Sequence, residues 1–258
     1  MNSARRIVVL LLVLSGQAPA FASLADPFDT PVDTKVVDFG PSPYYRPGTD
    51  IHVRLSCFIY PDFMVKVYDE GQKGAEWMAI ARIEKRKGPQ CSKSHEPEEW
   101  VLDREKEWDG YFMGVKGNLV FFRAPDGIDG GMPFAIFNAK TRKKIFDDSF
   151  FYAGMWREKF EDSGFNDMRI KRIGDGQVVL RYLRVKGTLC GLHPEKASCW
   201  EPTRKKLGIK SPAKPVCIAY EGMGGTLVSA VAYPVEVALF PKPVRKNVDG
   251  PVRCWPVD

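Results

Sequence analysis

Residues 111–151, YFMGVKGNLVFFRAPDGIDGGMPFAIFNAKTRKKIFDDSFF, constrain the fold more than any other part of the chain. They hold three short apolar runs, at 118–123, 132–138 and 144–150. DGIDGG separates the first two, and the polar AKTRK separates the second pair. Short runs rich in Phe, Val and Ile, bounded by Gly, Asp and Asn, make strands and hairpins.

The flanking sequence repeats the pattern. Between 51 and 60, His52, Arg54 and Ser56 alternate with Val53, Leu55 and Cys57, which predicts a half-buried strand. Runs at 63–68 and 76–83 flank a break containing Gly71 and Gly74 and read as a hairpin. Another hairpin is predicted from 168–173, a Gly-Asp-Gly turn and 177–189. Both faces of its second strand carry apolar residues, so cover is expected on both sides. A short strand at 216–220 and a longer run at 226–240, interrupted by Pro234, complete the series.

Helix is expected in two places. EPEEWVLDREKEW at 96–108 has Pro97 in its first turn and acids early, and would set Trp100, Arg104 and Trp108 on one face. AGMWREKFED at 153–162, ended by Gly164, is the other. The segment 191–215 reads as loop, and its Arg204-Lys205-Lys206 cluster as a solvated charge run. The expected fold class is therefore all-β: an antiparallel β-sandwich or strongly curved sheet with long loops and one or two short helices. A small or irregular β-propeller is the alternative, suggested by the hairpin IFNAKTRKKIF at 136–146. A propeller needs about four strands in each of at least four blades, and the chain shows only roughly 11–13.

The chain opens like an export signal. Arg5 and Arg6 precede an unbroken apolar run at 7–14, and Ala18, Ala20 and Ala22 offer cleavage after Ala20 or Ala22. That run is far short of the roughly 20 residues a membrane span requires. The organisation read from the sequence is a signal peptide at 1–22, a Pro-rich N-terminal arm at 23–50 and a single disulfide-stabilised β domain at 51–258. In the arm, Tyr44 and Tyr45 are expected to pack the segment onto the domain. Loss of Arg5 and Arg6 lowers the formal charge of +6 by two, too little to imply a nucleic-acid partner.

All six cysteines lie beyond the leader, and an even number in an oxidising compartment argues for disulfides. Nearest-neighbour pairing gives Cys57–Cys91, Cys190–Cys199 and Cys217–Cys254. No C-x-x-C pair accompanies His193, so zinc is disfavoured.

The sequence nominates no catalytic group. His52, His95 and His193 stand in none of the usual zinc or haem spacings, and no G-x-S-x-G elbow is present. Asp126 and Asp129 sit in a Gly-rich turn but lack the spacing of a calcium loop. Asp103, Glu105 and Asp109 contain a conceivable acid/base pair for glycoside hydrolysis, although crowded acids are more often simply solvated. No metal or other cofactor is expected.

The reading that follows is an exported, periplasmic or extracellular, non-catalytic protein that binds another macromolecule, as an inhibitor, an immunity-like protein or a structural partner. The partner is expected to be an envelope protein or glycan, not nucleic acid, and the mature chain to have no integral membrane segment. The alternatives are a hydrolase of an envelope polymer or glycan, and a glycan or small-ligand binder using Trp100, Trp108 or Trp200.

Overall fold

The structure is a computed structural model that describes residues 28–83, 90–102, 108–127, 131–152, 168–173, 177–192, 197–217 and 228–257. The expected export signal, the expected helix at 153–162, the expected Gly-Asp-Gly turn and His193 lie outside these residues. The described residues form two sheets, so the sandwich-like all-β expectation holds.

The first sheet is an antiparallel meander of β1 (Asp33–Pro41), β2 (His52–Ile59), β3 (Phe63–Asp69), β4 (Trp77–Arg82) and β5 (Glu99–Leu102), in that spatial order. The alternation read for β2 sorts its two faces. Val53, Leu55 and Cys57 are buried with Met64 and Tyr68 on the outer face, beneath the segment carrying Cys91. His52, Arg54 and Ser56 lie on the inner face. Gly71 and Gly74 adopt positive φ (85° and 88°) in the turn that leads to β4, which L side chains rarely do.

One expectation fails here. Glu99–Leu102 is a strand and not a helix: it pairs with β4 from Met78↔Leu102 to Ala81↔Glu99. Docking Leu102 into the core and Trp100 against Phe137 overrides the local helix signal. The segment read as an extended Pro-rich arm supplies an edge strand of this sheet. Its residues 33–41 form β1, and Phe28 packs edge-on against Phe121, with ring centroids 5.3 Å apart.

The second sheet contains β6 (Tyr111–Lys116), β7 (Leu119–Arg123), β8 (Gly131–Asn138), β9 (Lys143–Phe151), β10 (Arg169–Ile173), β11 (Gln177–Thr188), β12 (Val216–Cys217), β13 (Ser229–Ala238), β14 (Val244–Asn247) and β15 (Arg253–Pro256). Its main path runs β12-β15-β13-β11-β9-β8-β7-β6, with β10 on β11 and β14 on β13. Among the described residues, only β12 and β15 pair in parallel. Sheets of five and ten strands are not four-stranded blades, so the propeller alternative is excluded.

The three apolar runs that announced the fold are β7, β8 and β9. In β7 and β8 the runs are nearly continuous because both faces are buried. Val120, Phe122, Ala135 and Phe137 meet Phe63, Val65, Met78 and Ile80 of the first sheet. Phe121, Phe134 and Ile136, on the opposite face, meet Leu180, Tyr182, Val231 and Tyr233. The sheet curls to bring these strands together, and only Arg184↔Phe150 pairs β11 with β9. Next to that joint, Asp148 accepts hydrogen bonds from the Tyr182 hydroxyl at 2.8 Å, from Arg184 Nε at 2.8 and 2.9 Å and from Arg245 Nη1 at 3.0 Å.

Pro234 does not break its strand. β13 passes from β15, which it pairs through Ala232, to β14, which it pairs from Val235. The residue without an N–H sits in the gap between those two partners. The 191–215 segment is not all loop: α1 (Trp200–Leu207) occupies part of it and ends at Gly208 in the left-handed region, φ 65°. Arg204, Lys205 and Lys206 fall in its last turn, where cations suit the helix dipole.

Candidate interaction surface

β1 forms one edge of the first sheet, and its outer side has no strand partner among the described residues. Side-chain exposure is concentrated beside it. Of the seven large apolar side chains exposed among the described residues, five are Val32, Val36, Phe39, Tyr44 and Tyr45. Scattered exposed apolar residues are ordinary; here Val36 and Phe39 lie on opposite faces of β1, Phe39 edge-on to Tyr68 with centroids 6.1 Å apart, and what they share is the strand's outer edge.

The local chemistry explains this arrangement. The Val36–Val37 pair sits between Lys35 and Asp38, so one valine faces each side of the strand. Val37 packs on the outer-face core, while Val36 is 58% exposed. Pro41, Pro43 and Pro47 then prevent a second ladder from forming, and Ser42 fixes the turn. Its Oγ donates to the Glu70 carbonyl at 2.5 Å and its N–H to the Ile51 carbonyl at 2.8 Å. Tyr44 and Tyr45 do not pack down as expected. Both are exposed, and the Tyr44 hydroxyl donates to Glu70 at 3.1 Å, a contact that raises its pKa.

Behind β1, the inner face of the first sheet extends past the edge strand β6 and leaves a cleft of about 400 Å³. His52, Arg54, Ser56 and Phe58 of β2 line it, with Asp69 of β3 and Tyr111 and Phe112 of β6. Asp38, Arg54 and Asp69 stand in register across three strands. His52 Nδ1 lies 2.7 Å from Asp38, and Asp38 also accepts the Gly40 N–H at 2.8 Å.

The Gly40 amide first, and His52 second, hold the Asp38 carboxyl below its ordinary range. A carboxyl whose folded pKa is depressed contributes stability above its unfolded value, and loses it as the pH falls through the folded value. His52→Ala should therefore raise the Asp38 pKa part of the way towards 3.8, seen by NMR titration of the side-chain carboxyl. An unchanged titration would show that His52 does not hold the carboxylate.

The His–Asp contact does not make a hydrolytic triad with the strand's serine. Ser56 is four residues along the same strand from His52, roughly 13 Å away at the usual strand rise. His95 is placed differently again, with Nδ1 3.3 Å from Glu99 and its ring edge-on to Trp77.

The three nominated tryptophans are spread through the core and not gathered at one site. Trp200 is 4% exposed inside the main core. Trp100 and Trp108 are half-buried against the core between the sheets. Asp126 pairs with Lys73, while Asp129, Asp103 and Glu105 lie outside the described residues. No group of three His, Cys, Asp or Glu suited to a metal occurs among the described residues. Disulfides join Cys57 to Cys91, Cys190 to Cys199 and Cys217 to Cys254. No described helix is long and apolar enough to cross a membrane.

The edge was not visible in the sequence, where 33–39 reads only as part of a Pro-rich arm and nothing local says that one neighbour of a strand is missing. Compared with known proteins, the chain matches no family model, no curated sequence and no solved structure.

Proposed function

We propose that this is an exported, non-catalytic protein whose work is to bind a polypeptide partner through the β1 edge. The observation that carries the reading is the placement of Val32, Val36, Phe39, Tyr44 and Tyr45 on and beside a strand whose outer edge has no strand partner among the described residues. Such an edge recognises an extended segment by main-chain hydrogen bonds, with alternate side chains supplying selectivity. Export rests on the Arg5-Arg6 start, the apolar run and the alanines of the leader, supported by three disulfides, and implies a periplasmic or extracellular site of action. Inhibition, immunity and a structural role are all compatible with binding of this kind. No observation favours the hydrolase alternative, since the acid-bound histidine in the cleft is not set against the strand's serine.

The test is capture by the mature, disulfide-bonded chain from envelope extract and medium of the producing cell. Wild type should retain a polypeptide that a Val36→Lys/Phe39→Lys double variant retains roughly tenfold less well or not at all. Both side chains are exposed, so the variant should keep its fold. Equal retention by the two proteins, or no retained polypeptide, would overturn the reading.

A further inference from the structure

We infer that the polypeptide which β1 accepts is a second copy of this chain, paired antiparallel across a two-fold axis to join two five-stranded sheets. The inference rests on the proposal that β1 is the binding edge and names the partner at that edge.

The argument is one of register. A two-fold axis perpendicular to a sheet keeps each face on its own side, so facing residues must lie an even number apart along the strand. The straight part of β1 is short, because its pairing with β2 shifts between Asp38 and Pro41. That leaves residues 33–38 to form the new ladder. With Lys35 on the axis, two ammonium groups would face each other; with Asp38 there, two carboxylates would. With Val37 on the axis, Val36 would face the partner's Asp38 and little ladder would remain. With Val36 on the axis, Val36 faces the partner's Val36, Lys35 lays its stem beside the partner's Val37, and Thr34 faces the partner's Asp38. No like charges oppose each other, and all of these pairs fall within the straight part. With Thr34 on the axis, Asp33 would face the partner's Lys35, but only residues 33–35 of the straight part would pair; the Val36 register is the longest in which no like charges oppose each other. Asp38 is already held in place by His52 and the Gly40 amide, so it presents a fixed acceptor to the partner's threonine.

A second copy is also compatible with the surroundings of the edge. β1 is exposed over all but Val37 and Gly40, so no described element has to move aside. The closed C2 arrangement uses each exposed edge once and leaves no template for further growth.

Sedimentation equilibrium of the mature, oxidised chain should show a monomer–dimer equilibrium. Val36→Lys, which sets two ammonium groups on the axis, should weaken the dimer roughly tenfold or more while circular dichroism stays unchanged. Val36→Cys should form an intermolecular disulfide on mild oxidation, because directly opposed Cβ atoms lie within reach of one. Leu189→Cys, at the most exposed of the large apolar positions, serves as the surface control. A monomer at every concentration, a dimer indifferent to Val36→Lys, or cross-linking no faster at position 36 than at 189 would each overturn self-pairing. If the chain is monomeric yet captures another polypeptide through Val36 and Phe39, the binding edge stands and only self-pairing falls. If it neither dimerises nor captures, both proposals fall.

Discussion

Replacing Asp148 with alanine is expected to destabilise the folded chain by about 3–5 kcal/mol. The carboxylate is 2% exposed and accepts from three side chains: Tyr182, Arg184 and Arg245. Arg184 extends the network by donating from Nη1 to the Tyr233 hydroxyl at 3.0 Å. Burial, and then the neighbouring Asp148 charge, hold the Tyr182 phenol far above its ordinary pKa. Tyr182 therefore remains a neutral donor that needs an acceptor in a site where it is 1% exposed. Without Asp148, that hydroxyl and a half-buried guanidinium lose their acceptor together, at the joint where one residue pair ties β9 to β11. For a chain of this size the loss corresponds to a fall in Tm of roughly 10 °C. Urea unfolding with the disulfides intact measures it directly. Arg245 is 35% exposed, so Arg245→Ala should lose only about 1 kcal/mol or less. If Asp148→Ala also loses less than about 1 kcal/mol, packing alone holds the joint, and the ionic network is incidental.

The sequence revealed much of the fold through residues whose environment is set locally. The uninterrupted apolar character of 119–123 and 132–137 announced strands, and their burial on both faces explains why those stretches do not alternate. In β2, by contrast, residues 52–57 alternate, because His52, Arg54 and Ser56 line a cleft while Val53, Leu55 and Cys57 are buried. Reading failed where a distant partner decided the outcome. Acids at 96–99 suggested a helix start, yet the chain there completes a sheet edge beside Met78 and Ile80. Pro234 suggested a break, yet a change of neighbour makes room for it. The strands read from the sequence stop at 240, because β14 and β15 have only four residues each, too few to show a period. The candidate edge depends on the lack, among the described residues, of a second strand beside β1. Local sequence can show that a segment is extended, but a missing neighbour leaves no mark in it.

Lys66 was hidden for a related reason. FMVKVY reads only as one strand of a hairpin, and nothing in it marks the lysine as interior, yet its side chain is fully buried. It points to the outer face of the first sheet, across from Cys57, beneath the segment that the Cys57–Cys91 disulfide holds in place. There its ammonium meets the carboxylate of Glu99, which is 1% exposed. It also donates to the carbonyls of Ser92 and Ser94 at 3.2 and 3.3 Å. Lys66→Ala removes the cation from a carboxylate with little access to water, and releases two main-chain acceptors in the covering segment. The expected loss is about 3–5 kcal/mol, with faster proteolysis between residues 90 and 98. Lys66→Met combined with Glu99→Leu removes both charges while keeping most of the volume, and should fall within about 1–2 kcal/mol of wild type or exceed it. The two substitutions should therefore be strongly non-additive in a double-mutant cycle. That cycle separates two roles for the pair. If the double variant is stable but its covering segment is cleaved as fast as in Lys66→Ala, the lysine's bonds to the Ser92 and Ser94 carbonyls hold the cover, and the carboxylate only neutralises it. If the double variant is both stable and protected, the disulfide and the packing of the cover are sufficient, and the pair matters only because neither charge tolerates being buried alone.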